Sequence, residues 1–183
     1  MEVSYEDIRP TFEKVRDYFT YDLNLLCSQI LGGNYITGLL IACACETLAR
    51  FKYGQAKGER FFSEKMLPDE WRPVASSLFD AIRNGIAHSY ETKPIRIGDK
   101  LLDIGISWRQ QPHLQFSPDK KVLYLNIQTM AGQILDLLKE YESSLMTDQE
   151  LRLQFSKAMR ADWTKKPKGD ELKAWKKLLG AET

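Results

Sequence analysis

The chain is poor in the residues most often recruited for catalysis and metal binding. Its 183 residues hold two histidines, His88 and His113, and three cysteines, Cys27, Cys43 and Cys45. An odd cysteine number without C-x-x-C or mixed Cys/His ligand spacing argues against a disulfide framework and against a zinc site, and leads us to expect a reducing, cytoplasmic setting. An excess of one charge is also missing: 26 Lys and Arg face 25 Asp and Glu, for a net charge of +1. Bulk electrostatics therefore announce no nucleic-acid partner, and an anionic substrate must be held by a local patch. The most apolar run, YITGLLIACACETLA, is shorter than the roughly 20 residues of a membrane-spanning helix and reads as a buried core helix. The polar, acidic start MEVSYEDIRP lacks the pattern of a secretory signal. There is no internal repeat and no low-complexity tract. A hydrophobic share of 43% and a charged share of 28% suit a globular chain with a core of its own.

What is present is mostly helical periodicity. Ile8, Phe12, Val15, Phe19, Leu23, Leu26 and Ile30 recur at steps of three and four and predict an amphipathic helix from Tyr5 to about Ile30. Gly32 and Gly33 end it. Asn34 is the expected N-cap of a second helix over Tyr35 to Tyr53, apolar nearly all round except for one acid, Glu46. Gly54 and Gly58 bound a charged turn, and a short apolar stretch follows at FFSEKML. Pro68 opens a helical segment to about Tyr90 with Trp71, Val74, Leu78, Ala81 and Ile82 as its buried stripe, stopped soon after by Pro94. Strand-like alternation over about 95–127 predicts a small antiparallel sheet of two or three strands, with a turn at SPDKK. Helical period returns with Met130, Ile134, Leu137, Leu138, Tyr141 and Leu145. The expected fold is mainly α: a helical domain over 1–146 with a β insertion, and a basic helical extension over 147–183. In that extension Thr147 or Asp148 is the N-cap. Leu172, Trp175, Leu178 and Leu179 are expected to dock on the body with Lys165, Lys166, Lys168, Lys173, Lys176 and Lys177 in water, and contact with single-stranded RNA, to which Trp163 would add an aromatic surface, is the alternative.

Polar groups concentrate in RNGIAHSY, Arg83 to Tyr90. On a helix Asn84 and His88 share one face and Arg83 and Tyr90 another, while Arg83 and His88 lie about 140° apart and would flank a cleft. A histidine exchanges protons near neutral pH, and an arginine offers a permanent charged fork that matches phosphate oxygens. Together they could cleave RNA without a metal or other cofactor, by in-line attack of the ribose 2′-hydroxyl on the adjacent phosphate. His88 would move the proton, Arg83 would stabilise the phosphorane and Asn84 would orient the phosphate or the histidine. The competing reading is an ordinary helix end whose histidine caps carbonyls. Glu46 could pair with Arg83 or His88, as a support or as a plain salt bridge. His113 reads as an exposed loop or strand residue, and Gly85 as a place where another backbone, such as a dimer partner's, approaches closely.

RNGIAH matches the R-x4-H signature, with a polar residue directly after the arginine, of the HEPN superfamily. With Tyr90 it resembles the R-x4-H-x-Y pattern of HEPN toxins paired with minimal nucleotidyltransferase antitoxins. The resemblance covers roughly residues 5–146, and only the motif is specific. It implies a helical bundle, a homodimer with a composite cleft and a metal-independent endoribonuclease. Arg83, Asn84 and His88 would be its catalytic residues, Glu46 and Tyr90 supporting ones. It further implies that Tyr90 could accept an adenylyl group from a nucleotidyltransferase partner, the alternative being a ring packed at a dimer seam. The β insertion and the basic extension depart from the minimal toxin pattern.

Overall fold

The computed structural model describes residues 2–28, 33–108, 112–160 and 168–178. Four helices carry the bundle's frame: α1 (Tyr5–Ser28), α2 (Asn34–Tyr53), α4 (Ala75–Ser89) and α5 (Ile127–Thr147). Shorter helices α3 (Gly58–Lys65) and α6 (Gln149–Arg160) pack beside them, and α7 (Gly169–Leu178) follows. Strands β1 (Ile95–Ile97), β2 (Lys100–Ser107), β3 (Gln115–Phe116) and β4 (Val122–Asn126) stand between α4 and α5. The protein is mainly α with a small sheet, and no described helix is long and apolar enough to cross a membrane.

Helix α2 lies at the centre because nearly every turn of it is apolar. Ile41, Ala44, Cys45, Leu48 and Phe51 are all at most 1% exposed, and α2 contacts α1, α3, α4, α5, α6 and β2. Gly33, with φ +82°, makes the left-handed turn into α2, which starts at Asn34 itself; no side chain caps that end among the described residues. On α1 the predicted stripe holds for Ile8, Phe12 and Leu23, which are buried, with Val15 and Phe19 packed at its margin; Ile30 and Gly32 lie outside the described residues.

The segment opened by Pro68 departs from a single helix. Residues Asp69–Val74 form a 3₁₀ turn, and the α-helix begins only at Ala75, after Pro73. The tighter turn breaks the 3.6-residue period. Val74 is consequently 44% exposed and Trp71 half-buried, whereas Leu78, Ala81 and Ile82 keep to the core.

The sheet has four strands in the order β1-β2-β4-β3, more than the two or three expected, and one of its pairings is parallel. Gly98, at φ +60°, turns β1 back onto β2. The chain then passes through β3, which pairs antiparallel with β4 and leaves β4 alongside β2 in the same direction. Alternation of apolar residues marks a strand but carries no direction. The inner face, Leu102, Ile104, Leu123 and Leu125, is buried, and β2 packs on α2 and α4. His113 is half-buried rather than exposed: its Nδ1 accepts from the backbone N–H of Asn126 at 3.1 Å, and burial lowers its pKa. Asn126 in turn caps α5, its Oδ1 accepting from the Thr129 N–H at 3.0 Å.

Asp148 starts α6 by accepting from the Leu151 N–H at 3.0 Å. Phe155 of that helix is 1% exposed, with its ring 4.7 Å from Phe51 and 6.0 Å from Phe12. Arg152 donates to the carbonyls of Val3 at 2.8 Å and Leu145 at 2.9 Å, which ties the N-terminal segment, α5 and α6 together. Helix α7 behaves otherwise: Leu172, Trp175 and Leu178 are 39%, 52% and 77% exposed, so the expected docking of this stripe is absent among the described residues. Lys168, Lys173 and Lys176 are exposed, while Trp163, Lys165, Lys166 and Leu179 lie outside the described residues, as does the side chain of Lys177.

Candidate functional site

The site is built where the middle of α2 faces the second half of α4. Glu46 reaches across to Arg83, with Oε1 3.1 Å from Nε. Arg83 Nη1 donates to Asn84 Oδ1 at 2.7 Å, and Asn84 Nδ2 donates to Asp80 Oδ1 one turn back. Lys93 then sets its Nζ 3.6 Å from Asp80 Oδ2. The result is a chain of alternating donors and acceptors, Glu46–Arg83–Asn84–Asp80–Lys93, that fixes the guanidinium plane. The Arg83 side chain remains 41% exposed, and its further N–H groups donate to nothing among the described residues. An arginine held through Nε and Nη1, with its Nη2 donors open, is arranged to receive an anion.

Glu46, Phe79, Asp80, Arg83 and Asn84 line a cleft of about 530 Å³ whose far wall is the start of α3, with Lys57, Gly58 and Arg60. Gly58 is required there: a Cβ would lie 2.6 Å from Glu46 Cγ and 2.8 Å from Phe79 Cζ. Its absence lets α3 press directly on Glu46 and hold that carboxylate toward Arg83.

The remaining motif residues stand apart from the cleft. His88 is exposed in the last turn of α4 and makes no hydrogen bond or ion pair among the described residues. It lies outside the lining of the cleft that Arg83 and Asn84 share. Glu46 thus pairs with Arg83 and not with His88. Tyr90 does not share a helical face with Arg83, because the helix stops at Ser89 and Tyr90 takes the left-handed conformation, φ 56° and ψ 25°. This cap sends its ring toward α2, 5.6 Å from Tyr35, and leaves it 58% exposed.

The left-handed cap also explains Gly85. After Tyr90 the chain folds back over α4, and the Lys93 N–H donates to the Ala81 carbonyl at 3.1 Å. A Cβ on Gly85 would meet Lys93 N at 2.5 Å, Glu91 O at 2.6 Å and Thr92 C at 2.9 Å. The close approach expected at Gly85 is therefore made by this chain's own backbone, and no partner's backbone can occupy that place. In an ordinary helix Gly→Ala stabilises by up to about 1 kcal/mol. Here we expect Gly85→Ala to destabilise by about 1–3 kcal/mol, because the new atom meets backbone and not a flexible side chain. Urea denaturation checks the sign, and a stabilised variant would contradict the fold-back.

Asp80 and Lys93 are the site residues that sequence reasoning missed. Asp80 carried a usable signal, since it precedes Asn84 by four and so shares its helical face. Lys93 carried none, because its place depends on the turn at Tyr90. Among the described residues no group of three or more His, Cys, Asp and Glu is placed to hold a metal ion.

Fold and site together define a mainly helical protein with a small mixed sheet and an arginine-centred cleft at its motif helix. Comparison with protein-family models, with curated proteins and with solved structures gives no match.

Proposed function

We propose that the protein is a HEPN-type, metal-independent endoribonuclease. The observation that carries the reading is the state of the motif side chains: Arg83 is aligned by Glu46 and Asn84 with its Nη2 donors open, while His88, on the same helix, is exposed and uncommitted. The first is what phosphate binding asks of an arginine, and the second is what proton transfer asks of a histidine. In the reaction the ribose 2′-hydroxyl loses its proton and attacks the adjacent phosphorus. The 5′-oxygen of the next nucleotide leaves with a proton, and the product ends in a 2′,3′-cyclic phosphate. His88 carries a proton in this exchange, Arg83 neutralises the charge that builds on the non-bridging oxygens, and Asn84 keeps Arg83 in plane.

Because His88 stands outside the cleft of its own chain, the reading includes a homodimer, in which two motif helices bring both groups to one groove. The biological setting that goes with it is a cytoplasmic toxin–antitoxin, stress-response or phage-defence role. An antitoxin or nucleotidyltransferase would be its partner and Tyr90 the acceptor of a modification. The exposure of the Tyr90 ring at the end of the motif helix supports that last element.

The separation of His88 from the cleft also favours a second reading, a HEPN-like module that binds a nucleotide, RNA or a protein partner without cutting. Incubating RNA with the full chain in excess EDTA distinguishes the two. Cleavage that is lost in Arg83→Ala supports the nuclease. Binding that is lost in Arg83→Ala, without cleavage under any condition, supports the module.

A further inference from the structure

A second cavity lies away from the motif, in the crevice where α2, α3, α5 and the start of α6 meet. Its volume is about 200 Å³. Leu48, Phe61, Leu137 and Leu151 give it an apolar floor, and Lys52, Lys65, Glu140 and Asp148 stand on its rim. Two polar groups in it have no direct hydrogen-bond or ion-pair partner among the described residues. Tyr141 is 8% exposed, its ring is packed against Phe12 and Phe51, and its buried hydroxyl has no hydrogen-bond partner among the described residues. Lys52, half-buried, forms no ion pair among the described residues; its Nζ sits 5.4 Å over the Tyr53 ring. Burial, and after it the Lys65 ammonium nearby, lowers the pKa of Lys52 against the opposing pull of the Glu64 and Glu140 carboxylates. An unmade hydrogen bond at a buried hydroxyl costs free energy, and so do two lysines set side by side, the second offset in part by the Glu64 and Glu140 carboxylates.

The neighbouring charges are already engaged. Lys65 bridges to Glu140 at 3.6 Å, and Asp148 caps α6. Lys52 is therefore the rim cation without a direct ion pair among the described residues, with the Glu64 and Glu140 carboxylates acting on it from farther away, and the two carboxylates on the rim would repel a dianion. At about 200 Å³ the cavity is smaller than the roughly 300–1,000 Å³ pockets that take drug-sized ligands. We propose that this crevice is a binding site for a small organic monocarboxylate, its carboxylate on Lys52 with Tyr141 donating to it, and its compact apolar body against Leu48, Phe61, Leu137 and Leu151. The site is independent of the motif cleft and of the nuclease reading. A bound carboxylate would fasten α2 to α5, and α2 is the helix that carries Glu46.

The probe is sodium benzoate, titrated into the ¹⁵N-labelled full chain at constant ionic strength, with benzamide as the neutral isostere. We expect saturable shifts in the amides of Leu48, Lys52, Phe61, Tyr141 and Leu151. Lys52→Met and the change from benzoate to benzamide should each weaken binding roughly tenfold or more, the size of a lost charge-assisted hydrogen bond. Tyr141→Phe, which removes one oxygen and leaves the packing in place, should weaken it roughly threefold to tenfold without lowering Tm. Absence of saturation, shifts that map elsewhere, or equal affinity for benzoate and benzamide would overturn the assignment. Unchanged affinity in Lys52→Met or in Tyr141→Phe would overturn it equally.

Discussion

On the proposed nuclease reading, His88→Ala is expected to lower RNA cleavage steeply and to leave the protein as stable as before. A positioned general acid or base contributes typically about 10²–10⁴-fold to a rate, so the residual rate of the variant should fall by that factor. The unchanged stability follows from the surroundings of His88: it is exposed and holds no hydrogen bond or ion pair among the described residues. Surface substitutions of this kind stay within about 0.5 kcal/mol. This separation makes His88 a cleaner probe than Arg83, whose loss would leave Glu46 and Asn84 without their shared partner. Single-turnover cleavage rates and a urea titration on the same preparation check both halves. A fully active His88→Ala would remove the histidine from the chemistry.

The second large effect concerns the fold. Phe155→Ala should cost about 3–5 kcal/mol, the range for emptying a buried aromatic site. Phe155 is 1% exposed and sits edge-on to Phe51, a residue of the central helix. The loss would fall on the whole bundle, since α2 also carries Glu46. Urea unfolding should show one cooperative transition moved to lower denaturant. If α6 were an appendage to the bundle, the substitution would leave the main transition in place.

Periodicity exposed the frame of the fold because the long helices α1, α2 and α5 bury continuous stripes; Ile8, Phe12, Ile134 and Leu138 are buried at the spacing their sequence positions demand. The Asp148 cap was legible for the same local reason: its hydrogen bond to Leu151 spans three residues. What escaped depends on geometry set by distant parts of the chain. The parallel pairing of β2 with β4 follows from where β3 lies, and no alternation pattern encodes it. The 3₁₀ turn before α4 was hidden because Pro73 is compatible with either helix in its first turn. At the site, the Arg83–Glu46 pair could be anticipated from one acid on an apolar helix. The left-handed Tyr90 could not, since a tyrosine with positive φ is rare. With it went the fold-back over Gly85 and the delivery of Lys93 to Asp80.

The proposed nuclease reading has Arg83 and His88, brought to one groove by two motif helices, cut RNA through the substrate's own 2′-hydroxyl. The most direct test is the product end formed in excess EDTA from an RNA oligonucleotide, beside the same oligonucleotide with 2′-deoxyribose at the cleaved position. The account predicts a 2′,3′-cyclic phosphate from the first and no cleavage of the second at that position. Cleavage of the deoxy-substituted strand at the same bond, or a 5′-phosphate product from either strand, would contradict it.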